Sequence, residues 1–307
     1  MYKYTVYTHC STYNHAPYIV DAMNGFTKQK TTFPVITAII DDASSDGEQE
    51  IIRSYLTEHF QKPHRTEETE YASIICAHHK TNPNCQFVVL LLKYNHYSIK
   101  KDRMAYLSEW LNNAKYFTIC EGDDYWTHPQ KLQMQVDFME AHPSHSLCFC
   151  AHQTLSPQGH RENVLRYDYD VESCPMKDII LGGGGFMSTN SMLYRRELYI
   201  PYQEWAPDCP VGDGPTMLSL AAKGDVGYLH KVMCVYRIAT PGSWTSRMHS
   251  SHSTRESHHF AVLKMWHQFD LWTNKKYHKL IVKKIIINWK NYIHSEISTL
   301  LHFHFQR

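Results

Sequence analysis

The chain has 307 residues, 43% of them hydrophobic and 20% charged. Those proportions suit one large α/β domain with an appendage and exclude a disordered or fibrous chain. With 31 basic and 30 acidic side chains, no overall field would gather nucleic acid, and no nucleic-acid partner is expected.

The N-terminal MYKYTVYTHC lacks the apolar core of a secretory signal. The apolar run 87–92 is far too short to span a bilayer. Nine scattered cysteines without a CxxC pair read as reduced thiols, so a cytoplasmic setting is expected.

Along the chain, residues 4–8 read as a strand. After the polar turn Tyr13-Asn14-His15-Ala16-Pro17, Ile19, Val20, Met23 and Phe26 recur at helical spacing. A β-branched strand at 35–40 runs into Asp41-Asp42-Ala43-Ser44-Ser45-Asp46-Gly47, and Ile51, Ile52, Tyr55 and Leu56 then line a helix face. Residues 61–85 are polar and without a strong period, which predicts an insertion or long surface loop. Residues 87–92 read as a third strand, and Met104, Leu107, Trp110 and Leu111 as a third helical stripe. Residues 116–120 form a fourth strand leading into Glu121-Gly122-Asp123-Asp124. Strand alternating with helix predicts a mostly parallel, Rossmann-like sheet flanked by helices.

Ligands of such sheets sit at the carboxyl ends of the strands, and two of those ends here are acidic. Adjacent carboxylates repel one another unless a cation or hydrogen-bonding ligand compensates them. Hard oxygens suit Mg²⁺ or Mn²⁺ bridging to phosphates; Asp as a turn or cap residue is the alternative. A GxGxxG fingerprint is absent after the first strand, and GxxxxGK[ST] is absent throughout, which sets aside nicotinamide dehydrogenases and P-loop enzymes.

Three strings, Cys10-Ser-Thr-Tyr-Asn-His-Ala-Pro-Tyr-Ile, Ile40-Asp-Asp-Ala-Ser-Ser-Asp-Gly and Cys120-Glu-Gly-Asp-Asp-Tyr-Trp-Thr-His-Pro-Gln-Lys-Leu, together resemble the family 2 glycosyltransferases with a GT-A fold. Val211-Gly212-Asp213-Gly214-Pro215, then Tyr236-Arg237-Ile238 and Gly242-Ser243-Trp244, continue the resemblance over residues 1–250. It implies an inverting enzyme that moves a hexosyl or N-acetylhexosaminyl group from a nucleotide sugar, a UDP-sugar first, to a hydroxyl. The acceptor it implies is a saccharide or lipid-linked saccharide, in cell-surface polysaccharide or glycolipid assembly. It also implies a divalent cation, Mn²⁺ or Mg²⁺.

By the same resemblance Thr12 and Tyr13 border the base and Asp42 accepts a hydrogen bond from it. Asp123 holds ribose or metal, Asp124 contacts the metal, and Asp213 is the general base. Glu121 fills the slot of the first Asp of a DxD-type motif. Ala239 stands where many relatives carry a His, leaving Arg237, Arg247 or His249 as substitutes. Residues 1–125 would be the donor half, 126–250 the acceptor and base half, and 251–307 a basic helical extension. The rival readings are a sugar nucleotidyltransferase and an inactive carbohydrate-binding or scaffold protein.

Other features keep two readings each. Asp213 also suits an N-cap for a helix starting near Pro215. His142, His145, Cys148, Cys150 and His152 invite zinc, but a buried strand at 147–151 places both thiols on one core face. The Gly182 to Gly185 run is an acceptor loop or an ordinary surface loop. From Lys275 onward, seven Lys or Arg face a single acid, Glu296. The row Tyr277, Ile281, Ile285, Trp289, Tyr292 and Ile293 predicts a helix that either packs on the body or lies peripherally on the inner face of the cytoplasmic membrane.

Overall fold

The computed structural model describes residues 2–305 except 201, 202, 208, 210, 242, 244, 245 and 247–251, with side chains through 297. Its strands are β1 (Tyr4–Thr12), β2 (Val35–Asp41), β3 (Arg65–Glu68), β4 (Ala72–His78), β5 (Cys85–Leu92), β6 (Ala114–Ile119), β7 (Tyr125–Trp126), β8 (His145–Leu155), β9 (Arg161–Val164), β10 (Met192–Arg195) and β11 (Asp225–Arg237). Its helices are α1 (Ile19–Thr27), α2 (Glu48–His59), α3 (Ser108–Leu111), α4 (Lys131–Ala141), α5 (Met176–Gly182), α6 (Asp213–Lys223), α7 (His252–Trp272) and α8 (His278–Phe305).

One mixed sheet runs β3-β4-β5-β2-β1-β6-β10-β8-β11-β7, with β9 on β8. The block β5-β2-β1-β6 is parallel, as is the β8–β11 pair; the strands outside that block otherwise join antiparallel. Alternation along each strand builds two cores. On β2 and β5, Ile36, Ile40, Val88 and Leu90 enter the core covered by α3, α5, α6, α7 and α8. Ile39, Phe87, Val89 and Leu91 enter the other, beneath α1, α2 and α4. Each such side chain contributes about 1.5–3 kcal/mol by leaving water.

In α1, Ile19, Met23 and Phe26 are buried as their spacing predicts, while Val20 turns outward at 38% exposure. The stretch 61–85 departs from expectation: it carries β3 and β4, and β4 is buried from Ala72 to Ala77. Covered on both faces, β4 had no reason to alternate. The stripe from Met104 to Leu111 is a 3₁₀ turn followed by one turn of α3. Cys148 and Cys150 do share one core, with Cys234 Sγ 4.0 Å from Cys150 Sγ.

The C-terminal region is helical from His252, as α7 and α8, and α8 folds back on α7 and α5. Ile281 is buried, Tyr277 and Ile285 pack against the body, and the Tyr292 ring stacks on His259 at 4.2 Å. Of the two readings of that row, packing on the body holds for Tyr277, Ile281, Ile285 and Tyr292. No helix among the described residues is long and apolar enough to cross a membrane.

Candidate active site

Parallel register lays three strand ends side by side: Thr12 pairs with Asp41 between β1 and β2, and His9 with Ile119 between β1 and β6. The acidic turn after β6 runs on beside β1, with the Gly122 N–H donating to the Ser11 carbonyl at 3.0 Å. Only glycine permits this approach. A Cβ at 122 would overlap the Thr12 side chain and come within 3.1 Å of His15 Nδ1.

Beneath that turn lies Glu48, fully buried at the start of α2. Its carboxylate accepts hydrogen bonds from Thr12 Oγ1, from the His15 N–H at 2.8 Å and from Ser44 Oγ at 2.9 Å. Burial raises its pKa above the usual carboxylate value, against the pull of those donors. His15 continues the chain, with Nδ1 3.2 Å from Thr12 Oγ1 and Nε2 4.0 Å from Asp123 Oδ2. Thr12 is thus buried, whereas Tyr13 stands 45% exposed on the rim.

Asp42 is also buried. It accepts from the His96 N–H at 2.7 Å, the Tyr97 N–H at 3.0 Å and Arg103 Nη1 at 3.1 Å, and so ties down the segment after β5.

In the acidic turn, Asp123 Oδ2 accepts from Thr240 Oγ1 at 2.7 Å and its carbonyl accepts from Arg237 Nη1 at 2.6 Å. Asp124 is deeper: one oxygen accepts from Asn190 Nδ2 at 3.1 Å and the other from the Arg237 N–H at 2.8 Å. Burial, then the charge of Asp123, raises Asp124 well above the carboxylate range. The Arg237 guanidinium also pairs with Asp21 and lies 5.0 Å and 4.5 Å from the ring centres of Tyr18 and Tyr125. Arg237 therefore clamps the turn. Ala239 takes a left-handed backbone, φ 55°; Arg247, His249, Gly242 and Trp244 lie outside the described residues.

Glu121 is the open member of the turn. Desolvation, then the charges of Asp123 and Asp213, push it up to about 7, with Arg103 opposing. Asp213 is the first residue of α6, and Gly212, not Asp213, is the cap. Its carboxylate accepts from the Gly214 N–H at 2.8 Å, and desolvation raises its pKa. Glu121 and Asp213 both present open surface, so solvent reaches them while the surrounding protein still displaces much of the water beyond. Tyr236 lies among all four acids: burial raises its phenol first, then Asp124, Glu121, Asp123 and Asp213 in turn.

No family model matches the chain. Uncharacterized proteins of Mycobacterium tuberculosis and Mycobacterium bovis are 28% identical over 250 residues, covering 79% of this chain. The chain spans 60% of the length of those relatives. Among solved structures, S. aureus TarS 1-349 in complex with UDP-GlcNAc is similar with a TM-score of 0.55 at 14% identity, over 86% of this chain and 66% of that one. The mannosyltransferase PcManGT from Pyrobaculum calidifontis, in complex with GDP-Man and Mn²⁺, gives 0.53 at 14% identity, over all of this chain and 81% of that one.

The chain has the GT-A fold. Within this GT-A sheet the folding brings Thr12, Asp123, Asp124 and Asp213 together, while Asp42 braces the neighbouring segment and Tyr13 stands at the edge. Sequence reasoning missed Glu48, Thr240 and Asn190 as parts of the site. Asn190 did lie in the Phe186-Met187-Ser188-Thr189-Asn190 segment after the glycine run. Nothing in its spacing points to Asp124, 66 positions away.

As a cation site, Glu121 and Asp123 offer hard oxygens of the right kind. Among the described residues no three His, Cys, Asp or Glu side chains close a metal cluster. A cation here would thus complete its shell with water or ligand phosphates, as Mg²⁺ commonly does.

Proposed function

We propose that the chain is an inverting glycosyltransferase that takes a hexosyl or N-acetylhexosaminyl group from a nucleotide sugar to an acceptor hydroxyl. The observation that carries this reading is that Glu121 and Asp123, at a strand end, and Asp213 from α6 lie within electrostatic reach of one another, Asp123 and Asp213 both acting on Glu121. A nucleoside diphosphate belongs at that strand end on general grounds for parallel sheets. The residues suited to a divalent cation are Asp123 and Glu121, with Asp124 as their brace; Mn²⁺ or Mg²⁺ bound there would neutralise charge on the departing diphosphate.

Asp213 is the base. A carboxylate raised by desolvation accepts a hydroxyl proton more readily than one in water. It takes the proton of the acceptor hydroxyl as that oxygen attacks the anomeric carbon and the nucleoside diphosphate leaves from the opposite side. One displacement inverts the configuration. Residues 1–125 would then serve the donor and 126–250 the acceptor and base, with 251–307 as an extension.

A UDP-sugar leads the donor candidates, with a GDP-sugar the other. The acceptor setting we propose is a saccharide, free or lipid-linked, in cell-surface polysaccharide or glycolipid assembly on the cytoplasmic side of the membrane. A panel of nucleotide sugars, assayed with Mn²⁺ for diphosphate release to saccharide acceptors, tests the reading, with NMR of the product for anomeric configuration. Release with an inverted product is expected. Retention of configuration removes Asp213 as base, and the absence of both turnover and a thermal shift with UDP or GDP rejects the donor site.

A further inference from the structure

Helix α8 carries two apolar faces. One is buried: Ile281 packs in the core, and Lys284 from the same side donates to the Leu181 carbonyl at 2.9 Å, beside the glycine run. The other face is bare. Val282, Ile286, Trp289, Ile293 and Ile297 are each between 38% and 51% exposed. Their steps of four, three, four and four residues keep them on one side of the helix. Phe260 of α7, 49% exposed, widens the strip, its ring centre 5.9 Å from that of Trp289.

Lys279, Lys283 and Lys290 are exposed, and at 100° per residue they fall along one edge of this stripe. We propose that this face of α8 is a docking surface for an anionic lipid bilayer, lying flat in the interface. An apolar strip containing Trp with lysines at its edge supplies both terms such binding needs: burial among acyl chains, and attraction to anionic headgroups. Charge decides against a second copy of the chain. Stacking this face antiparallel on a second copy would bring two rows of lysine together, whereas an anionic leaflet neutralises them. The surface belongs to the whole body, because the opposite side of the helix is held to α5 and α7.

The test is flotation of the full chain with vesicles of phosphatidylglycerol and phosphatidylcholine, beside phosphatidylcholine alone, at low and high salt. Wild type is expected to float with the anionic vesicles and to release as salt is raised. The triple variant Lys279→Glu, Lys283→Glu, Lys290→Glu should lose at least about tenfold in partitioning, since each cation near an anionic surface is worth severalfold. Ile286→Ser with Ile293→Ser should lose a similar amount while its melting temperature stays at the wild-type value. If that pair fails to fold, the lysine variant decides alone, since its changes are on the surface. The idea is overturned if wild type stays with the unbound fraction at low salt, or if the lysine variant floats as wild type does. It is equally overturned if light scattering reveals a dimer that Ile286→Ser breaks. Sugar transfer is not read at any stage, so a failed donor assay leaves this result standing.

Discussion

Asp123 and Asp124 are neighbours with different surroundings. Asp124 is held by two donors from distant segments, Asn190 and the Arg237 N–H, while Asp123 and Asp213 both act by charge on Glu121. Asp123→Asn is expected to abolish the gain in nucleoside diphosphate affinity that Mn²⁺ brings, with little loss of stability. Asp124→Asn turns an amide N–H toward one of its two donors and should cost about 1–3 kcal/mol of stability. Calorimetry beside denaturant melts separates the two; the opposite pattern moves the cation contact to Asp124. Asp213→Asn keeps the shape and removes the proton acceptor. Transfer should fall by about 10²- to 10⁴-fold with diphosphate binding unchanged, and a variant that keeps more than about a tenth of the turnover takes the role away from Asp213. The acids were visible in the sequence because they cluster after apolar strands. Asn190 and Thr240, which bond Asp124 and Asp123 across 66 and 117 residues, were not, nor was Glu48, which holds Thr12 and His15 from 36 and 33 residues away; such separations leave no local pattern.

At the scale of elements, the turn after β6 depends on one close approach. Gly122→Ala forces a methyl group into Thr12, which is itself fixed by Glu48. A loss of about 1–3 kcal/mol is expected, as for other overpacked sites, with weaker diphosphate binding. Gly184→Ala meets nothing within 4 Å and its φ is not positive, so its melting temperature should match wild type. Thermal melts of the pair check this, and equal losses would show that space at 122 is not the constraint. Periodicity revealed α1 and α2 because each has a wet and a dry face, and the parallel strands because each is a short, nearly continuous run of apolar and β-branched residues. It missed β4, which is dry on both faces, and along α8 it drew a single row where packing covers Tyr277, Ile281, Ile285 and Tyr292 but leaves Trp289 and Ile293 exposed. Ile281, Val282, Ile285, Ile286 and Ile287 make that helix apolar around much of its circumference, so only packing decides which sector is covered.

For the whole molecule, two buried histidines set the acid limit. His9 in β1 is lowered to about 3, first by burial and then by Arg103. His152 in β8 is lowered to about 4, first by burial and then by Arg166. Unfolded, both titrate near the ordinary histidine value of 6.5. Below that pH the unfolded chain binds protons that the native one refuses, so stability is lost as pH falls from 6.5 towards the folded values. Each should contribute a loss on the order of 2 kcal/mol at pH 5. Glu121 and Asp124, both raised, work in the opposite sense and cost stability as pH rises. The clean measurement is therefore a difference: His152→Gln should narrow the gap in unfolding free energy between pH 7.5 and pH 5 relative to wild type. An unchanged gap would mean that His152 is protonated in the native state.

The amino-acid sequence by itself determined the alternation of strand and helix, the acidic ends of two strands and the separate basic tail. Each of these is written in neighbouring residues, through side-chain periodicity or local charge. Tertiary structure alone decided that Asp213 comes within electrostatic reach of Glu121, that Asp42 and Asp124 accept hydrogen bonds from the protein itself, and which side of α8 is covered. Those outcomes depend on which surfaces meet when the two cores close around the sheet. Burial, desolvation and hydrogen-bond partners come into being only at that closure.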